Sequence, residues 1–236
     1  ELESAVECVR QVSEAAGGDV KLLIEGHGRF NIPTAVKIGR RLEEFDIYWF
    51  EEPLPPDDLP GMREVKERVR IPLAAGERLY NRYEYRQFFD LNCADYIQPD
   101  VSHAGGLLEM RFLGAEAEAR HLGFCPHNPS GPVANAATLQ LAACVPNFIQ
   151  LEMMMTDVPF RAEICDEELT LEKKLRMFLT MSLRAYHVPE NEIEKTIGFI
   201  EGLNIREISE RVMQELFKAL AMHFEFSLSG IMEAEK

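Results

Sequence analysis

At 236 residues, with 46% hydrophobic and 28% charged side chains, the chain is globular in class and can bury one large core or two small ones. Forty acidic residues against 25 basic give a net charge of −15, which argues against a nucleic-acid or anionic-membrane surface but not against an anionic small substrate at a site with its own cation. The apolar runs fall short of a membrane span, the first residues carry no signal-peptide pattern, and five cysteines without CxxC spacing fit free thiols; a cytoplasmic protein is expected.

The chain opens on a helix with Leu2, Val6, Val9 and Val12 on one stripe, ended by Gly17-Gly18, so it is expected to start inside a β/α repeat. A strand through Leu23 and Ile24 stops on Glu25, followed by Gly26-His27-Gly28-Arg29. Pro33 begins a helix through Val36, Ile38 and Leu42 to Phe45, and Ile47–Phe50 form a strand that stops on Glu51. A helix around Met62–Val69 leads to a third strand, Pro72–Ala75, which ends on Gly76-Glu77. After a helix near Arg82–Leu91, the run from Ala94 reaches Asp100. A glycine-containing loop then opens a helix whose stripe reads Leu108, Phe112, Ala115 and Ala119. The fifth strand, from Gly123, ends on His127. Pro132 starts the helix through Ala137, Leu141 and Ala142, and the sixth strand, Phe148–Leu151, ends on Glu152. Past about Thr156 the pattern changes to helical stripes at Leu171, Leu175, Phe178 and Leu179, at Ile193, Ile197 and Ile200, and at Ile205, Ile208, Val212, Leu216 and Leu220.

Glu25, Glu51 and Glu77 are spaced 26 residues apart. A period of that size fits a strand, a crossover helix and two loops, which makes the strands parallel and puts their carboxyl ends on one rim. Three carboxylates gathered there repel by about 4 kcal/mol per pair at 4 Å and an effective dielectric of 20. A cation relieves that repulsion, and an all-oxygen donor set favours Mg²⁺, or Mn²⁺, over zinc.

Five stretches, Glu25-Gly26-His27-Gly28-Arg29, Glu51-Glu52-Pro53, Gly76-Glu77-Arg78, Gln98-Pro99-Asp100-Val101-Ser102-His103-Ala104-Gly105-Gly106 and Pro126-His127-Asn128-Pro129, together resemble the barrel domain of the enolase superfamily. The resemblance is to its mandelate-racemase and galactonate-dehydratase-like acid-sugar dehydratases. It implies a partial (β/α)8 TIM barrel of about six β/α units over residues 1–165, followed by a helical C-terminal tail over 166–236. It also implies that Glu25, Glu51 and Glu77 are Mg²⁺ ligands, that His127 is the general base paired with Asp100, and that His27 is the acid for the departing hydroxyl. Glu152 is matched to the residue that hydrogen-bonds a substrate carboxylate oxygen. Glu25 stands where the family usually has an aspartate.

The activity implied is a Mg²⁺-dependent hydro-lyase on a small-molecule sugar acid, giving a 2-keto-3-deoxy acid, with no nucleic-acid or membrane partner. Two alternatives remain: a racemase or epimerase, which shares the enediolate, and a non-catalytic remnant of a barrel that lacks its lid and first two strands. An unsealed sheet edge favours a homo-oligomer. Arg29, Arg78 and Asn128 are read equally as substrate contacts or loop supports, and Glu52 and His103 as supporting or ion-pair residues.

Overall fold

Strand and helix alternate along the chain as the 26-residue spacing predicts. The computed structural model describes residues 2–17, 20–153, 176, 179–180, 183–184 and 188–201. Helix α1 (Leu2–Ala16) leads to β1 (Leu22–Glu25), α2 (Ile32–Leu42), β2 (Ile47–Glu51), α3 (Leu59–Arg68) and β3 (Leu73–Ala75). Then come α4 (Arg82–Leu91), β4 (Tyr96–Ile97), α5 (Leu107–Ala119), β5 (Gly123–Phe124), α6 (Pro132–Ala142) and α7 (Glu190–Glu201). The strands lie in the order β1-β2-β3-β4-β5, each parallel to its neighbour, so every strand's carboxyl end points the same way.

Local chemistry sets the boundaries. Asn31 accepts from Thr34 N–H at 3.0 Å and Asp58 from Gly61 N–H at 3.0 Å, each capping a helix that has proline in its first turn. Asn81 caps α4 through Tyr83 and Glu84. A bulge between Leu22 and Leu23 sets Leu23 opposite Trp49, Ile24 opposite Phe50 and Glu25 opposite Glu51, so two acidic strand ends arrive level. Phe50 is buried on the helix side, with Val69 and Gly39 near it, while Trp49 packs on the other face with Ala74, Cys125, Tyr48 and Tyr96.

The sixth strand is reduced to a single parallel bridge between Phe124 and Phe148. Hydrogen bonds from Ile149 N–H to Phe124 O at 3.0 Å and from Glu152 N–H to Pro126 O at 3.4 Å nevertheless carry the pairing toward Glu152.

Two expected stripes differ from the observed packing. On α5, Leu108 and Phe112 are 66% and 45% exposed and Ala115 and Ala119 lie on the same outer face; the buried face is Met110, Leu113, Gly114 and Ala117. The helix carries two apolar stripes, and the one with glycine and alanine sits against the sheet because small residues let the backbone approach closely. On α1 only Val6 is buried, and Val12 is 49% exposed.

The described residues through Pro129, with Asn147–Met153, form one compact unit. A second contains Ser130–Pro146 and described residues past 153; its buried side chains include Leu139, Leu141, Leu179, Leu183, Ile193 and Ile197. The stripe at Ile193 and Ile197 thus lies on α7. Leu171, Leu175, Phe178 and the stripe from Ile205 to Leu220 fall outside the described residues, as does Cys165. Among the described residues, no helix is long and apolar enough to cross a membrane.

Candidate functional site

The first three strands each deliver one carboxylate to the rim. One oxygen from each of Glu25, Glu51 and Glu77 lies within 4.8 Å of the other two. A cation with oxygen ligands at about 2.1 Å holds them between about 3 and 4.2 Å apart, so this donor set suits a hard divalent ion with small adjustment. Glu51 is aimed by Trp49, two residues back on the same face, whose Nε1–H donates to Glu51 Oε2 at 2.8 Å. Glu25 accepts the backbone N–H of His27.

The turn after β1 needs its glycines. Gly26 N–H donates to Glu51 O at 2.8 Å, and a Cβ at Gly26 would stand 2.9 Å from both Glu52 O and Pro53 Cα. Gly28, at φ +63°, would put a Cβ 2.5 Å from Arg78 Nη2. Arg78 in turn donates to the buried Glu52 at 2.6 and 3.1 Å, and Glu52 also accepts Gly76 N–H at 2.8 Å. Glu52 thus serves an ion pair, as expected, and holds a left-handed backbone at φ 38°. His103 Nδ1 lies 3.0 Å from Glu77 O, which gives it the supporting role read for it.

Beside Glu77 stands the fourth strand end. His127 Nδ1 is 2.7 Å from Asp100 Oδ2, and Asp100, 1% exposed, also accepts Ser102 N–H at 2.6 Å. A donor at Nδ1 leaves the lone pair on Nε2, which lies 3.6 Å from Glu77 Oε2 and 3.9 Å from Glu152 Oε2. Glu152 is half-exposed, and its Oε2 accepts Asn128 N–H at 2.9 Å. Arg78 and Asn128 therefore hold loops, and Arg29 N–H closes the turn on Gly26 O at 3.2 Å. His27 sits on the rim with φ 51° and an exposed side chain; among the described residues its imidazole makes no hydrogen bond.

The electrostatics follow from this crowding. Although Glu25 is exposed as a residue, desolvation of its carboxyl tip, then the charge of Glu51 and a hydrogen bond with it, push it up to about 9. Burial raises Glu77 to about 7, with Glu52 and Glu51 adding and His127 opposing. Burial lowers His127, but the Asp100 hydrogen bond and the charges of Glu77 and Glu152 outweigh it and hold the ring above its ordinary value. Burial pulls Asp100 upward, and hydrogen bonds from His127 and Ser102 leave it below. Two carboxyls pushed toward their protonated forms, beside an imidazole pushed toward imidazolium, mark a site short of positive charge.

A cavity of about 400 Å³ opens beneath the carboxylates, lined among others by Glu25, Glu51, Glu152, Trp49, Gln98 and Cys125. Trp49 and Gln98 were not singled out from sequence. The signal available was strand period, since each lies two residues before an acidic strand end, Glu51 and Asp100.

The family described as enolase C-terminal domain-like matches residues 1–177. The chain is 40% identical over 152 residues to a D-gluconate dehydratase of Thermoproteus tenax, covering 64% of this chain and 31% of that protein. It is 34% identical over 154 residues to a D-galactonate dehydratase of Cronobacter sakazakii, covering 65% and 40%. Among solved structures, a mandelate racemase/muconate lactonizing enzyme-like protein from Rubrobacter xylanophilus aligns with a TM-score of 0.66 and 38% identity, over 69% of this chain and 41% of that one. The chain spans less than half the length of each of these relatives.

Proposed function

Because the chain belongs to the enolase C-terminal domain-like family, we propose that it carries the site of a Mg²⁺-dependent acid-sugar dehydratase. Such a hydro-lyase removes the proton next to a carboxylate and expels water to give a 2-keto-3-deoxy acid. One observation carries the reading: three carboxylate oxygens meet beside a histidine whose far nitrogen is held by a buried aspartate. The relatives named for D-gluconate and D-galactonate support an aldonic acid as the small-molecule substrate.

Glu25, Glu51 and Glu77 would hold the cation. Bound there, Mg²⁺, or Mn²⁺ in its place, supplies positive charge where the substrate carboxylate gains it as the neighbouring proton leaves. His127 Nε2, with its lone pair set by the Asp100 contact, takes that proton, and Asp100 supports the imidazolium that results. Glu152 faces the same nitrogen and stands where the family's residue that hydrogen-bonds a substrate carboxylate oxygen would be. His27, exposed on the rim, protonates the hydroxyl that departs from the adjacent carbon.

The test is product analysis by NMR after incubation with Mg²⁺ and D-gluconate, D-galactonate or D-xylonate. Loss of water with a new methylene next to the ketone supports the dehydratase. Inversion alone makes the site a racemase or epimerase. No turnover, with a melting midpoint that ignores Mg²⁺, overturns both in favour of a non-catalytic remnant.

A further inference from the structure

Gln98 is a buried polar group in the cavity that the functional reading leaves unexplained. It is 4% exposed and its carboxamide oxygen has no hydrogen-bond partner among the described residues. Its place is fixed: Gln98 N–H donates to Ala75 O at 3.0 Å, continuing the β4 pairing beyond Ile97. By the two-residue period of a strand it shares a face with Tyr96, packed on Trp49, and with Asp100, hydrogen-bonded to His127. It therefore lies one pleat below the aspartate, in the lining of the cavity that also receives Glu25, Glu51 and Glu152.

A buried acceptor without a donor is costly, and native chains rarely keep one without a water, an ion or a ligand to satisfy it. Trp49 Nε1–H is given to Glu51, and the sulfur of Cys125 faces the Gln150 backbone; neither group is a partner of Gln98. The Gln150 carboxamide also lines the cavity, yet no donor among the described residues reaches Gln98 Oε1. An O–H group entering the cavity would meet that acceptor.

We propose that Gln98 is a ligand-contacting residue, its carboxamide oxygen accepting a hydrogen bond from an O–H group held in the cavity that Glu25, Glu51 and Glu152 line. This inference rests on the functional reading above. That O–H has two sources, a water molecule on the bound cation or a hydroxyl of the polyhydroxy acid, and both present the same donor to the same atom.

The experiment measures thermal melts of the wild-type chain and of Gln98→Met, titrated with Mg²⁺ alone and then with D-gluconate at saturating Mg²⁺. Gln98→Leu serves as the second variant of the same kind. The metal-free variants should melt no lower than wild type, since no internal partner is lost. A roughly tenfold weaker apparent Kd for Mg²⁺ supports the cation-bound water. An unchanged Mg²⁺ response with a tenfold weaker apparent Kd for D-gluconate supports the substrate hydroxyl. If both constants match wild type, or if the metal-free variants melt well below it, Gln98 is only structural and the proposal falls, while a wild-type response to Mg²⁺ leaves the functional reading standing. A wild-type chain that ignores Mg²⁺ overturns both.

Discussion

Raising the pH of the metal-free chain should destabilise it, and the raised carboxyls of Glu77 and Glu25 set the slope. Glu77 is 5% exposed and its carboxyl is raised from 4.5 to about 7, so between those values the folded chain holds a proton that the unfolded chain has released. At 1.36 kcal/mol per unit, the difference is about 3 kcal/mol of stability present near pH 4.5 and lost as pH rises past 7. Glu25 extends the loss toward pH 9. His127 adds in the same direction, because a histidine held above its ordinary value stabilises below that value and ceases to as the pH climbs through the folded one. Asp100, held low, works at the acid end: its contribution is present above its unfolded value and lost as pH falls through the folded one.

Urea melts at pH 5, 7 and 9 in EDTA measure the slope, and Glu77→Gln should flatten it by about 3 kcal/mol. Mg²⁺ should offset much of the loss, since it binds the deprotonated carboxylates: at a hundredfold excess over Kd it adds about 2.7 kcal/mol, and more of that is realised at pH 9 than at pH 5. A wild-type chain whose stability is flat from pH 5 to 9 without metal, or a Glu77→Gln variant with the same slope, would refute the reasoning.

Trp49→Phe keeps the ring and deletes the donor to Glu51, so Mg²⁺ affinity by isothermal calorimetry should fall 10- to 100-fold, at the scale of lost outer hydrogen bonds. Arg78→Ala leaves the buried Glu52 carboxylate unpaired and should cost about 3–5 kcal/mol in a denaturant melt. Asp100→Asn should lower the His127 titration midpoint, followed by the ring-proton shifts in NMR, because it removes the charge and hydrogen bond that hold the ring up. On α5, Leu113→Ala should cost about 2–5 kcal/mol and Leu108→Ala no more than about 0.5, which checks directly which of the two stripes is packed.

The acidic strand ends were legible because spacing and strand period are local quantities: Glu25, Glu51 and Glu77 meet, and His127 finds Asp100. The α5 face was not legible, since Leu108 and Phe112 make as good an apolar stripe as Met110 and Leu113, and only close approach to the sheet chooses between them. The sixth strand was half legible. Phe148 does pair with Phe124, but only as a single bridge with two further backbone hydrogen bonds beyond it, which depends on backbone geometry rather than residue type. Gln98 and Trp49 were missed because neither ends a strand; their meaning comes from what lies across the cavity.

The guanidinium of Arg78 has a consequence for how the site is assembled. It lies against Gly28 from the loop after β1, pairs with Glu52 from the end of β2, and belongs to the loop after β3, while Gly28 N–H reaches Glu52 O at 2.6 Å. One cation built into the chain therefore fastens together the three loops at the acidic strand ends, with its Nε 3.7 Å from Glu77 Oε1. Its ion pairs are with Glu52 and Glu77, and the charge of Glu51 still pushes Glu25 up. The loops that follow the three acidic strand ends are thereby joined to one another through a single side chain.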